Sequence, residues 1–130
     1  MIKLKLPYPP SVNNYWMASG HRRYISKRGQ TFKQSVLAYC LFHKIPKLGK
    51  FDVAVGIVLH PRSKILMDID NCSKAILDSL EGAGIIDDDK QVQRLIIMRG
   101  GLVKGGGCTV YIEKISTSMS LSVNLPMVDS

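Results

Sequence analysis

A single apolar, valine-rich run at 53–59 lies near the middle of the 130-residue chain. Its richness in valine and its loose alternation predict a β-strand over 51–60 at the centre of a sheet. A membrane-spanning helix needs about 20 apolar residues, so this run, the longest in the chain, is too short to cross a bilayer. We therefore expect a globular protein built around one central strand.

Hydrophobic periodicity predicts two helices and four further strands around this one. Apolar residues alternate with lysines at 2–6, and the prolines that follow must end that strand. In chain order the predicted elements are a strand at 2–6, a short basic strand at 21–25, a helix at 27–43 capped by Ser26, the strand at 51–60, a helix at 71–81 capped by Asp70, and strands at 92–99 and 108–115. We expect the glycine-rich loop 100–107 to close the last two strands into an antiparallel hairpin.

This order of elements predicts an α+β (mixed α/β) fold, a single small domain with a mixed sheet and two main helices. One domain suits 130 residues, because a chain of that size buries roughly two-thirds of its unfolded surface. We place the domain at 1–115 and a C-terminal tail, flexible or used in a contact, at 116–130. The N-terminal residues lack the apolar segment of a signal peptide, so we expect a cytoplasmic protein.

The three cysteines and three histidines lack the spacing of a metal site or a disulfide framework. Cys40, Cys72 and Cys108 are scattered along the chain and form no CxxC pair. The histidines likewise show no HxxxH or similar spacing. We expect all six residues to be structural or incidental.

Charge is distributed unevenly along the chain. Seven of the ten acidic residues lie in 68–90, which has a formal charge of −5, whereas the remainder carries +13 and the whole chain +8. A surface this basic attracts a polyanion, of which nucleic acid is the commonest. The acidic segment would repel that polyanion unless divalent metal ions neutralise it, and this is the arrangement of a metal-dependent nuclease. The alternative is a basic protein with one solvated acidic helix face.

Asp68, Asp70 and Lys74 lie close together in the sequence at a junction between a loop and a helix. If 68–70 is extended, the two carboxylates project to the same side, and Lys74 follows Asp70 by about one helical turn. Carboxylates this close favour a bound Mg²⁺, which makes its bound water more acidic. Lys74 would then contact the scissile phosphate or the developing negative charge. The alternative is an ordinary acidic N-cap in a solvated turn.

Three consecutive aspartates, Asp87, Asp88 and Asp89, follow the second predicted helix. The chain can fold back there so that one of these carboxylates completes the metal site. With Lys90, these aspartates also contain the D-x-K half of a common nuclease pattern, for which Asp70 would be the distant acid. Because that short pattern often matches by chance, we rank this interpretation below the fold-back. Three acids in a row are also typical of a polar turn.

Four segments occur in the order and spacing of one nuclease family. They are 6–14 (LPYPPSVNN), 68–74 (DIDNCSK), its helical continuation 75–80 (AILDSL), and 88–92 (DDKQV). Together they resemble the RusA family of Holliday-junction resolvases, and a Lys-Gly-Gly turn at 104–106 before the last strand also fits. The resemblance covers about 1–115, and the motifs are specific as a set although each alone is weak.

The resemblance implies a Mg²⁺-dependent structure-selective endodeoxyribonuclease, with Mn²⁺ as a substitute metal, acting in DNA recombination and repair. Such an enzyme resolves four-way junctions by paired symmetric nicks. The resemblance assigns Asp68, Asp70 and Asp89 as metal ligands and Lys74 as a catalytic residue, and it leaves the role of Asp88 open. It also implies a homodimer, because a four-way junction has two-fold symmetry and needs one active site at each of two strands.

Several basic residues outside the acidic segment are expected to meet DNA phosphates. With Lys74, they are Arg22, Arg23, Lys27, Arg28, Arg62 and Lys64. Exposed lysines and arginines are also ordinary solvated charges. A resolvase would recognise the shape of the junction and the positions of its phosphates rather than base edges. Two other functions stay open, a non-catalytic DNA-binding module and a metal-dependent phosphohydrolase of small nucleotides.

Overall fold

The computed structural model describes residues 1–65 and 68–116. Its strands are β1 (Ile2–Leu6), β2 (Trp16–Ser19), β3 (Arg22–Ile25), β4 (Val53–His60), β5 (Val92–Arg99) and β6 (Gly107–Lys114). Its helices are α1 (Val12–Tyr15), α2 (Lys27–Phe42) and α3 (Ser73–Gly82), with 3₁₀ turns at Ile69–Asn71 and Asp89–Gln91. No helix in these ranges is long and apolar enough to cross a membrane. Apart from Ser116, the predicted tail lies outside the described residues.

β4 lies inside a four-stranded sheet with the order β1-β6-β4-β5. It pairs in parallel with β5 and antiparallel with β6, which in turn pairs antiparallel with β1. Parallel neighbours need a crossover connection, and α3 supplies it between β4 and β5. The mixed sheet with its helices confirms the predicted α+β fold class and the central place of the valine-rich strand.

The predicted hairpin of the last two strands is wrong, because β4 lies between β5 and β6. The loop that joins them crosses the end of β4, where Gly100 donates its N–H to the Leu59 carbonyl at 2.8 Å and Val103 donates to Pro61 at 3.0 Å. A buried strand needs hydrogen-bond partners along both of its edges. β5 supplies the partners of one edge of β4, and β6 supplies those of the other. A hairpin would place β5 and β6 next to each other, so they could not lie on opposite sides of β4.

α2 and α3 pack together against one face of the sheet and form the main core with it. The stripe predicted for α2 is buried there at Phe32, Val36 and Cys40, whereas His43, at its end, is exposed. Ser26 caps α2 as predicted, since its hydroxyl accepts the N–H of the third helical residue at 3.0 Å. Local sequence signals therefore place the longest helix correctly.

The weak alternation of β4 follows from burial on both of its faces, since residues 53–59 are all buried. One face contributes to the main core beneath the helices. On the other face, Ala54, Val58 and Tyr111 form a second apolar cluster, against which Ile96 and Met98 pack. A strand that is covered on both faces needs apolar residues at successive positions rather than at every second one.

The start of the second predicted helix is corrected by the structure. α3 begins at Ser73 with Cys72 as its N-cap, so Asp70 is not the cap but lies in the preceding 3₁₀ turn. The backbone of Cys72 is already in the right-handed helical region, and the turn therefore runs directly into α3. The same turn ends the extended backbone at Asp68, so 68–70 is not one extended segment.

Cys40, Cys72 and Cys108 are all free and buried. Burial raises the pKa of each thiol, that of Cys108 to about 12. Because the thiolate is the nucleophile, we expect the native protein to resist iodoacetamide near pH 8. The denatured protein should take up three alkyl groups, which intact-mass spectrometry can count. Rapid alkylation of the native protein would contradict this packing.

Candidate metal and DNA site

The turn that contains Asp89 packs against one face of α3. Lys74 Nζ lies 3.7 Å from Asp89 Oδ2, and both side chains are partly exposed. Glu81 Oε1 accepts the backbone N–H of Asp89 at 2.9 Å. Seven residues are about two helical turns, so Lys74 and Glu81 lie on the same side of α3. The fold-back that the sequence suggested for the aspartate run therefore brings Asp89 alongside this helix.

The turn itself is built by Asp88 and Gln91. Asp88 Oδ1 accepts the N–H of Lys90 at 2.8 Å, and this bond lowers the pKa of the Asp88 carboxyl. Gln91 Oε1 accepts the N–H groups of Asp87 and Asp88 at 2.6 and 2.8 Å, which completes a capping box. The role that the sequence left open for Asp88 is thus at least structural: its carboxylate shapes the turn that presents Asp89.

Gln91 also ties this turn to the segment that enters β4. Its Nε2 donates to the carbonyl oxygens of Gly49 at 2.6 Å and Phe51 at 2.8 Å. The residue is only 8% exposed, and both ends of its amide are used. In the sequence, Gln91 is distinguished only as a residue of the 88–92 motif. The signal that predicts its role is the capping-box pattern, an Asp followed three residues later by Gln.

Within 1–65 and 68–116, one group of acidic side chains has the spacing of a metal site. Carboxylate oxygens of Glu81, Asp88 and Asp89 lie within 4.8 Å of one another. Carboxylates are the ligands that Mg²⁺ prefers, and each offers two oxygens. The backbone N–H groups occupy one oxygen of Glu81 and one of Asp88. The donor set therefore suits a hard divalent cation, and Glu81 joins the candidate ligands although the sequence did not single it out.

Asp68 and Asp70 lie before α3 and outside this group. Both are exposed. The 3₁₀ turn of Asp70 contacts β5, and the pKa of the Cys72 thiol is raised by burial and by the nearby charge of Asp70. Lys74 follows Asp70 by four residues in the chain and contacts Asp89. A shared metal site of Asp68, Asp70 and Asp89 stays a prediction.

α3 is fixed to the other helices through Asp78. The Tyr15 hydroxyl donates to the Asp78 carboxylate, and Lys33 Nζ lies 3.6 Å from Asp78 Oδ2. Tyr15 is fully buried, and this burial, with the contact to Asp78, raises the pKa of its phenol. Because α1 and α2 supply these partners, the helix that carries Lys74 is held from the side as well as from the sheet.

All six basic residues expected to meet DNA outside the acidic segment are exposed. Half of them line one groove, namely Lys27, Arg28 and Arg62. The others are Arg22 and Arg23 on β3, and Lys64. The Arg23 guanidinium lies 4.9 Å from the centre of the Trp16 ring, which restrains it on the β2–β3 hairpin. Their contacts with DNA stay predictions.

Comparison with known proteins agrees with the motifs. The family model for endodeoxyribonuclease RusA matches residues 7–113. A crossover junction endodeoxyribonuclease from Enterobacteria phage HK97 is 33% identical over 112 residues, which cover 86% of this chain and 93% of that protein. Proteins of the same name from Escherichia coli K12 and Enterobacteria phage 82 are 32% and 33% identical over 113 residues, at the same coverage. The resemblance inferred from the sequence, and the enzyme class it implied, are thereby confirmed: the chain belongs to the RusA family of endodeoxyribonucleases.

Proposed function

We propose that this protein is a Mg²⁺-dependent endonuclease that resolves four-way DNA junctions by paired, symmetric nicks. The observation that carries the proposal is the contact of Lys74 with Asp89 at 3.7 Å, beside carboxylates spaced for a divalent cation. The relatives that share these motifs are named crossover junction endodeoxyribonucleases. The basic remainder of the chain, at +13, supplies the attraction for a polyanionic substrate.

Asp68, Asp70 and Asp89 are the proposed metal ligands, and Glu81 is a further candidate. Mg²⁺, for which Mn²⁺ can substitute, would supply an acidic bound water and stabilise the leaving oxygen. Lys74 forms a partly exposed ion pair with Asp89, and pairs of this kind are weak. Its ammonium can therefore exchange the carboxylate for the scissile phosphate, where it would stabilise the negative charge that develops during attack.

A homodimer is the proposed assembly, because two identical sites related by a two-fold axis match the two strands that a junction presents. The relatives come from bacteria and their phages, and we place the protein in the bacterial cytoplasm. Sedimentation over a range of protein concentrations, with and without junction DNA, tests the assembly. A protein that remains a monomer on the junction would refute the symmetric arrangement.

The direct test of function uses a synthetic four-way junction labelled on each strand in turn. With Mg²⁺ we expect nicks at symmetric positions near the crossover, leaving 5′-phosphate and 3′-hydroxyl ends. With EDTA we expect binding without nicks, and the linear duplex of the same sequence serves as the control substrate.

Two outcomes would favour the other functions. Tight junction binding with no cleavage in any divalent metal would indicate a non-catalytic DNA-binding module. Turnover of mononucleotides with little dependence on salt would indicate a phosphohydrolase, because a protein that contacts several phosphates loses affinity steeply as salt rises.

A further inference from the structure

A groove with a volume of about 690 Å³ separates the N-terminal prolines from the start of α2 and from the loops beside β4 and β6. Its size lies within the range of about 300–1,000 Å³ that is typical of small-molecule sites. Most of the apolar part of its wall comes from Pro7, Tyr8, Pro9, Pro10, Phe32 and Pro61. Gly105 and Gly106, both with positive φ, form the tight turn at one edge. The groove therefore offers flat apolar surface in a concave site.

The charged residues of the groove are all basic. Lys27, Arg28 and Arg62 line it, and no Asp or Glu lines it among the residues that the structure describes. The N-terminal end of the 16-residue α2 also borders the groove and adds partial positive charge. An occupant with an apolar ring and flanking negative charge matches this lining.

Tyr8 connects the groove to the candidate metal site. Its side chain lines the groove, and its hydroxyl lies close enough to the thiol of Cys72, the N-cap of α3, for the two groups to shift each other's pKa. Cys72 is two residues from Asp70 on one side and two from Lys74 on the other. A DNA strand with a phosphate at Lys74 would therefore pass near Tyr8, at the wall of the groove.

We propose that this groove binds an unstacked nucleotide of a single DNA strand, with its base against the prolines and Tyr8 and its flanking phosphates on Lys27, Arg28 and Arg62. The inference rests on the proposed function, because the crossover of a junction is where nucleotides can leave the stack. Stacking surfaces accept any base, so such a site selects the branched structure rather than a sequence. A paired base in a continuous duplex enters less readily, because it must first be unpaired.

The first test measures binding of a fluorescent oligothymidine of about eight nucleotides in EDTA, so that the result is independent of cleavage. Arg62→Ala should weaken binding and reduce the slope of log Kd against log salt by about 0.7, the contribution of one phosphate contact. Lys47→Ala is the matched control, since it removes the same charge beside Gly84 and away from the groove lining. Equal slopes for the two variants would overturn the proposal.

The second test fills the groove with Thr31→Trp, a change at an exposed residue of α2 that lines it. We expect the oligothymidine affinity to fall roughly ten- to hundredfold, the contribution of one stacked base, while circular dichroism stays unchanged. An unchanged affinity, or a changed sedimentation mass that marks the groove as a contact between copies, would overturn the proposal. Junction nicking by the unmodified protein is measured in parallel; its absence would refute the proposed function without affecting either binding result.

Discussion

Asp89→Asn and Asp70→Asn will each reduce junction cleavage by at least about a hundredfold, and junction binding will stay the same or become tighter. Each change removes a negative charge and an oxygen of a proposed metal ligand, and the first also removes the partner of Lys74. The measurement is single-turnover cleavage of the labelled junction in Mg²⁺, with binding measured separately in EDTA. Loss of cleavage with unchanged or tighter binding would show that these carboxylates are needed for the reaction and not for DNA binding.

Asp87→Asn is the matched control for these two variants. Asp87 is an exposed carboxylate in the same run of aspartates, but it lies outside the group with metal-site spacing. We expect it to cleave at the rate of the unmodified protein. Retained cleavage in both Asp70→Asn and Asp89→Asn would refute the proposed ligands.

Glu81→Gln distinguishes two possible ligand sets that share Asp89. The amide keeps an oxygen that can accept the Asp89 N–H, so the turn should survive the change. If Asp68 and Asp70 complete the metal site, the Mg²⁺ concentration for half-maximal cleavage should stay nearly constant. A large increase in that concentration would assign Glu81 as a ligand instead.

A second large loss of cleavage is expected on substitution of Gln91. This residue holds the turn that carries Asp89, so its loss would displace Asp89 and would not remove a contact with DNA. Gln91→Glu replaces the amide that donates to Gly49 and Phe51 with a buried carboxylate facing their two carbonyl oxygens. We expect the free energy of unfolding to fall by about 2–4 kcal/mol, because buried polar groups lose their partners. Chemical denaturation followed by circular dichroism measures this change.

Gln34→Glu is the control for charge, since Gln34 is exposed on α2 and a surface change usually alters stability by less than about 0.5 kcal/mol. A readout beyond stability is cleavage at a temperature at which both variants are folded. We expect Gln91→Glu to cleave slowly there while it binds the junction in EDTA like the unmodified protein. Normal cleavage by the folded variant would show that Asp89 does not depend on the Gln91 bonds.

Local signals in the sequence predicted most elements, and the wrong hairpin of the last two strands is an error of non-local pairing. Alternation at 2–6 and the Ser26 cap depend on neighbouring residues, and both predictions were confirmed. β2 was missed because its four residues show no alternation of apolar and polar side chains, and in the described part of the chain it pairs with β3 in a separate two-stranded sheet. The strands that lie beside β4 are determined by the hydrogen-bonding needs of both of its edges. The hydrophobic periodicity of the sequence carries no information about this pairing.

The candidate site was predictable in its parts but not in its assembly. The acidic run at 87–89 suggested a fold-back, and the structure places Asp89 beside Lys74. Glu81 joins the candidate metal ligands because its side chain on α3 contacts the backbone of Asp89, eight residues later. No pattern in the sequence indicates this contact. The side chain of Asp70 was expected to cap a helix, but Cys72 holds that position because a 3₁₀ turn precedes α3.

The bonds of Gln91 also link the acidic turn to a distant part of the chain. They join Gln91 to residues 42 and 40 positions earlier, Gly49 and Phe51. A chain that has not folded lacks these bonds, so the turn that carries Asp89 is not anchored to the segment before β4. The position of Asp89 beside Lys74 therefore belongs to the folded chain as a whole and not to the acidic run alone.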